Sequence, residues 1–169
     1  MTSTPRLSPQ KTAILWKSCH VARWHSNEHL AHTHDPLNGH SGRVAVLMRS
    51  LWPDAPANVL WACVVHDLPE YIVGDVSAVS KQDNPKFNAA LDILEAETAK
   101  KMECEYLLDD RWQERLNLCD RLDALLFAQL HRPDLMQRGE WIESKARIFG
   151  MADACGVNLE VADIIRWAA

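Results

Sequence analysis

Apolar positions recur at helical spacing through most of the chain, and the period-two alternation of a half-buried strand is sustained nowhere. Ser8-Pro9 supplies an N-cap and a first-turn proline for a helix predicted to run to about Arg23. Residues 25–39 carry no apolar period and include Pro36 and Gly39, which predicts a long loop of the kind that usually serves function. A second helix is expected from Ser41 to Leu51. After the connector Trp52-Pro53-Asp54-Ala55-Pro56 comes a third, whose stretch Val59-Leu60-Trp61-Ala62-Cys63-Val64-Val65 is apolar all round. Such a helix is expected to be buried on every side. It ends in His66-Asp67, and Pro69 is expected to break it. Gly74 and the polar stretch Ser77–Asp83 read as a further loop. Asn84-Pro85 caps a fourth helix to about Tyr106, with Phe87, Leu91 and Leu94 on one face. Asp109 opens a fifth to about Leu130, and segments 134–149 and 158–167 complete the set. The expected fold is all-α, a compact helical bundle in one domain over 1–169.

Composition narrows the picture without changing it. With 169 residues, 47% hydrophobic and 24% charged, the chain has the balance of a globular domain large enough to bury a core unaided. A formal charge of −5 argues against a partner such as polymeric nucleic acid, whose binding relies on a basic surface. The cysteines Cys19, Cys63, Cys104, Cys119 and Cys155 form no C-x-x-C pair. They read as small buried residues in a reducing compartment. The N-terminus lacks an apolar signal region, and no stretch approaches a membrane span; the expectation is a soluble cytoplasmic protein.

The informative residues are polar groups where a core would not choose them. His66 and Asp67 close the most apolar helix in the chain, and a buried carboxylate is costly unless paired, hydrogen-bonded or metal-bound. Asp120 falls on a helical wheel among Leu116, Phe127 and Leu130, in the core-facing sector, and Asp123 lies on a similar face. One of the two acids has a plainer reading as a partner of nearby Arg115 or Arg121. His40, at the junction of the long loop and the second helix, completes two imidazoles and two carboxylates with His66, Asp67 and Asp120. That mixed set suits a divalent transition ion (Zn, Co, Mn or Fe) with positions left for water and substrate. The loop histidines His25, His29, His32 and His34 form a rival cluster of irregular spacing.

In chain order, Arg23-Trp24-His25, His40-Ser41, His66-Asp67-x-x-Glu70, Gly74-Asp75, Lys81 and Asp120-Arg121-Leu122 resemble the motifs of the HD-domain phosphohydrolases. The likeness is greatest to the 5′-deoxynucleotidases and the phage-type dATP/dNTP triphosphohydrolases, and its motifs lie within 23–123. It implies an HD-domain bundle in which His40, His66, Asp67 and Asp120 hold the metal. It further implies that Glu70 positions or activates the attacking water and that Asp75 is a second acid near the reacting phosphate. By the same resemblance Arg23 and Lys81 hold phosphate, and Trp24 packs on the nucleoside and disfavours a ribose 2′-hydroxyl. Gly39-His40-Ser41 stands where the family often has Glu-His-Ser. Ser26 replaces an apolar side chain expected beside adenine, which leaves the base open. Tyr71 replaces the acid that follows this glutamate in the guanosine tetraphosphate hydrolases.

The activity implied is hydrolysis of a dNTP, dATP-type, to deoxynucleoside and triphosphate, with a second Mg or Mn able to accompany the triphosphate. The alternatives are a 5′-deoxynucleotidase acting on dNMP and a non-catalytic metal-binding module. Implied partners are a deoxynucleotide and, through Trp141, Trp167 and the Val161–Ile165 stripe, a second copy of the chain. That stripe can equally close the domain's own core. A phage-encoded protein of this kind would work in the host cytoplasm.

Overall fold

The computed structural model describes residues 7–168. Eight α-helices are present among them: α1 (Pro9–Ser18), α2 (Leu37–Leu51), α3 (Ala57–Val65), α4 (Ala78–Asp83), α5 (Pro85–Met102), α6 (Asp110–His131), α7 (Gly139–Ala154) and α8 (Asn158–Trp167). Two 3-10 turns, Leu68–Tyr71 and Pro133–Gln137, interrupt the series. No strand occurs among the described residues, so the all-α expectation holds.

The elements differ from the sequence reading in ways that shape the site. Ser8 caps α1 as expected, its hydroxyl accepting from the Lys11 amide. The helix stops at Ser18, well short of Arg23. The next residues instead run beside the end of the long loop, where the Arg23 amide donates to Asp35 (2.9 Å) and the Leu37 amide to Val21 (3.0 Å). These bonds close the neck of the loop and replace helical bonds, which ties Arg23 and Trp24 to Asp35. α2 begins at Leu37, so His40 sits in its first turn instead of at a junction beyond it.

The third helix is not buried all round. Val59, Ala62, Cys63 and Val65 are inside, but Trp61 is 41% and Val64 38% exposed, because α3 packs on α2, α6 and the following turn and leaves one face uncovered. Pro69 does end regular helix, and its residues continue as the 3-10 turn. The polar stretch expected as loop forms the short α4, capped by Ser77, whose hydroxyl accepts from the Ser80 amide. α5 ends before Tyr106 because Glu103 takes a left-handed conformation, φ 58°. Asp109 caps α6 as expected. The segment expected as one helix over 134–149 is instead a 3-10 turn followed by α7, which continues to Ala154.

The main core joins α2 (Val44, Met48), α3 (Val59, Cys63), α6 (Leu118, Leu122, Leu125), α7 (Ile148) and α8 (Val161, Ile165). Each fully buried leucine there contributes roughly 1.5–3 kcal/mol through removal from water. Val161 and Ile165 thus close this core, while Trp167 lies exposed. All five cysteines are free, with Cys63, Cys104 and Cys119 buried. No described helix is long and apolar enough to cross a membrane.

Candidate metal centre

Four elements bring the site together. His40 comes from the first turn of α2, His66 caps the C-terminus of α3, Asp67 precedes the 3-10 turn, and Asp120 lies midway along α6. One ligand atom from each of His40, His66, Asp67 and Asp120 lies within 4.8 Å of all the others. His40 Nε2 is 3.3 Å from His66 Nε2, 3.2 Å from Asp67 Oδ2 and 3.3 Å from Asp120 Oδ1. His66 Nε2 is 3.4 Å from Asp67 Oδ2. Burial is uneven. The His40 side chain is 0% exposed and that of Asp120 39%, so the cluster opens to solvent on its carboxylate side.

The far side of each imidazole fixes what faces the cluster. His66 Nδ1 lies 3.0 Å from the Cys63 carbonyl, which can only accept, so Nδ1 donates and Nε2 is left to the centre. His40 Nδ1 donates to Asp123 Oδ2 over 2.7 Å. The two lone pairs therefore point at each other over 3.3 Å beside two carboxylates. That arrangement needs a proton or a cation between the groups. In the metal-free chain a proton serves. Burial works against a charged His40, but hydrogen bonds to Asp120, Asp123 and Asp67 outweigh it and push the pKa up to about 11. Burial likewise opposes charge on Asp67, yet His66 and His40 hold it well below the usual carboxylate range. Two imidazole nitrogens and two carboxylate oxygens around one point, with a carboxylate behind one imidazole, fit a divalent transition ion.

Asp123 is the arginine partner that the plainer reading anticipated, but its partners are distant in sequence. Arg43 Nε donates to Asp123 Oδ1 (2.6 Å), and Arg23 Nη1 lies 3.5 Å from Oδ2. Hydrogen bonds from His40 and Arg43 overcome the burial penalty and keep Asp123 ionised. Arg115 instead stacks on Trp52 and Trp112. The helical wheel places Asp120 and Leu130 in the core-facing sector, but Leu130 is exposed because that end of α6 is less covered, and Asp123, not Asp120, is the deeper acid.

Glu70, brought back by the 3-10 turn, is buried. Its Oε2 has no partner, and Oε1 lies 4.0 Å from Lys81 Nζ. Burial, with the charges of Asp67 and Asp75 added, raises its pKa to about 9. Lys81 also lies 3.8 Å from Glu95. Asp75 Oδ2 accepts from the Trp24 backbone N–H (2.7 Å), so its contact is with Trp24. Trp24 is held at φ 64°, left-handed and strained for a tryptophan. Its indole N–H donates to Asp35 (3.0 Å), and its ring stacks on Phe127 with centroids 5.9 Å apart. Arg23 is nearly buried, its Nη1 3.2 Å from Asp35. Both cations expected to hold phosphate thus have carboxylate partners.

Four residues near the site were missed in the sequence. Asp35 and Arg43 form the network behind His40 and Trp24, and Glu95 pairs with Lys81. The Tyr106 phenol is pushed up by burial and by the charges of Asp67 and Asp120. The signal available for Arg43 was its spacing of one helical turn from His40; Asp35 gave none beyond its place in the loop. Of the loop histidines, His29 pairs with Arg138 and Glu28. Among the described residues no second group of three or more ligand-type side chains comes together.

A model of the HD domain family matches residues 20–125, more than half of the chain and every motif residue named above. The chain belongs to the HD-domain family. A solved structure described as the cyanophage S-2L HD phosphohydrolase (DatZ), bound to dA and one catalytic Zn2+ ion, superposes with a TM-score of 0.66. The two are 20% identical, and the match covers 97% of this chain and 95% of that one. At that identity the likeness speaks for the fold. No curated protein matched the chain.

Proposed function

We propose that the protein is a divalent-metal-dependent deoxynucleotide phosphohydrolase that cleaves a dNTP to deoxynucleoside and triphosphate. The observation that carries the reading is the convergence of two imidazoles and two carboxylates on one point, open on the carboxylate side. His40, His66, Asp67 and Asp120 would hold the metal, with Zn, Co, Mn and Fe all compatible with these donors. When bound, such an ion supplies Lewis acidity toward a phosphoryl oxygen and a bound water of lowered pKa. Binding of dA by the similar phage phosphohydrolase agrees with a deoxynucleotide as substrate.

The chain's own residues do the rest. Glu70 is buried with one oxygen unpartnered, and in this reading that oxygen accepts a hydrogen bond from the attacking water. With its carboxyl ionised by the positive charge of a bound ion, Glu70 takes that water's proton as the water oxygen bonds to the α-phosphorus. The P–O5′ bond breaks, the proton ends on the leaving 5′ oxygen, and triphosphate departs. A group in this role is worth roughly 10²–10⁴-fold in rate. Lys81 moves from its acidic partners to the phosphate chain, Arg23 adds positive potential from behind, and Trp24 presents its ring to the nucleoside. Residues 1–169 act as one HD domain, and assembly into a homo-oligomer belongs to the same reading.

One observation favours the monophosphatase as a second reading. Arg23 is matched by Asp35 and Asp123, and Lys81 lies beside Glu95, which leaves little free positive charge for a triphosphate. Incubation with Co2+ or Mn2+ and a panel of dNTPs and dNMPs decides. Triphosphate from dNTPs supports the first reading; inorganic phosphate from dNMPs, with dNTPs untouched, replaces it by the second. A folded protein inactive on both with every metal supports a non-catalytic module.

A further inference from the structure

We propose that Asp35 is a positioning residue that sets two walls of the site at once, the metal-facing His40 and the ring of Trp24. It lies at the end of the long loop and is almost fully buried. Its Oδ2 accepts from the Trp24 indole N–H (3.0 Å), Arg43 Nη2 (3.1 Å) and Arg23 Nη1 (3.2 Å), and Oδ1 accepts from Arg43 Nη2 (2.9 Å). Arg43 and Arg23 in turn reach Asp123, which accepts the hydrogen bond from His40 Nδ1. Two carboxylates thus sit between two guanidiniums, with an imidazole on one side and an indole on the other.

The charge balance couples the two walls. Without the Asp35 charge, Asp123 alone faces Arg23 and Arg43, and both guanidiniums compete with His40 for its oxygens. The imidazole then loses the acceptor that fixes its tautomer and aims Nε2 at the cluster. In the same step Trp24 loses the bond that anchors its ring, while its left-handed backbone stays strained. One substitution should therefore move metal affinity and the tryptophan together.

This inference rests on the metal-site reading above, and the experiment separates the two. Zn2+ affinity is measured by calorimetry on the full chain and on Asp35→Asn, which keeps the shape and removes the charge. In parallel the Trp24 indole N–H resonance is followed among the seven tryptophans, identified by its loss in Trp24→Phe. Asp35→Asn is expected to weaken Zn2+ by about 10–100-fold, the range for groups that support a metal ligand, and to shift the Trp24 indole resonance. A residue that only adds stability lowers the melting temperature and leaves the folded variant with unchanged Zn2+ affinity and an unmoved resonance; that result overturns the inference. Should Asp35→Asn fail to fold, the unaltered chain provides the test. Coupling is reciprocal, so Zn2+ must move the Trp24 resonance, and a stationary one overturns the inference. Wild-type protein that takes up no Zn2+ overturns the metal-site reading and this inference with it.

Discussion

Asp123 and His40, on α6 and α2, are joined by a 2.7 Å hydrogen bond from the buried imidazole Nδ1 to the carboxylate Oδ2. This bond decides which nitrogen of His40 faces the cluster. Asp123→Asn should weaken divalent-metal binding about 10–100-fold, with the loss in rate recovered at high metal concentration. Calorimetry and metal-dependent kinetics check this. The variant should also be less stable by roughly 1.5–3 kcal/mol, because Arg43 and Arg23 then share only the Asp35 carboxylate.

The metal-free protein should lose stability as pH rises. In the folded chain His40 holds its proton up to about 11 against an ordinary 6.5, and Glu70 holds its own up to about 9 against 4.5. Between about pH 6.5 and 9 the folded state therefore binds protons that the unfolded state has released, and stability falls with pH across that window. At the acid end, Asp67 and Asp123 are held below their ordinary values, so stability falls again as pH drops below the usual carboxylate range. Because the metal displaces the His40 proton, its affinity should rise with pH from 6.5 to 9, with proton release seen as a buffer-dependent heat.

Glu70→Gln should lower kcat by roughly 10²–10⁴-fold while leaving metal affinity within a few-fold. The melting temperature of the metal-free variant at neutral pH should not fall, since a neutral amide replaces a carboxyl that burial already keeps protonated. A large loss of metal affinity instead would make Glu70 a ligand.

Leu122 of α6 is fully buried in the main core. Leu122→Ala should cost about 2–5 kcal/mol and be visible in denaturant unfolding. Because Asp123 follows it directly in α6 and holds His40, metal affinity of the folded variant should fall as well.

The order of helices was legible because apolar spacing and capping residues act locally: Ser8, Asp109 and Pro69 do what their chemistry dictates. His66 and Asp67 were legible because they close an apolar helix where burial of polar groups is penalised, whereas His40 and the part-exposed Asp120 were picked out by the order of the motif residues. Periodicity reports apolarity but not its covering, so the exposed face of α3 at Trp61 and Val64 was hidden. The end of α1 was misplaced because the Arg23 amide is satisfied by Asp35, across a loop that no local pattern folds. The same holds for the ion network. Arg43 and Arg23 find Asp123 only when α2 and the loop neck close against α6, a long-range event without a sequence period. The left-handed Trp24 is likewise fixed by the distant acids Asp75 and Asp35.

Anomalous diffraction from crystals grown with Co2+ tests the central claim most directly. The expected result is one strong peak per chain about 2.0–2.2 Å from Nε2 of His40 and His66 and from an oxygen each of Asp67 and Asp120, abolished in Asp120→Ala. A peak among His25, His29, His32 and His34, or no peak while the protein still hydrolyses deoxynucleotides, would contradict it.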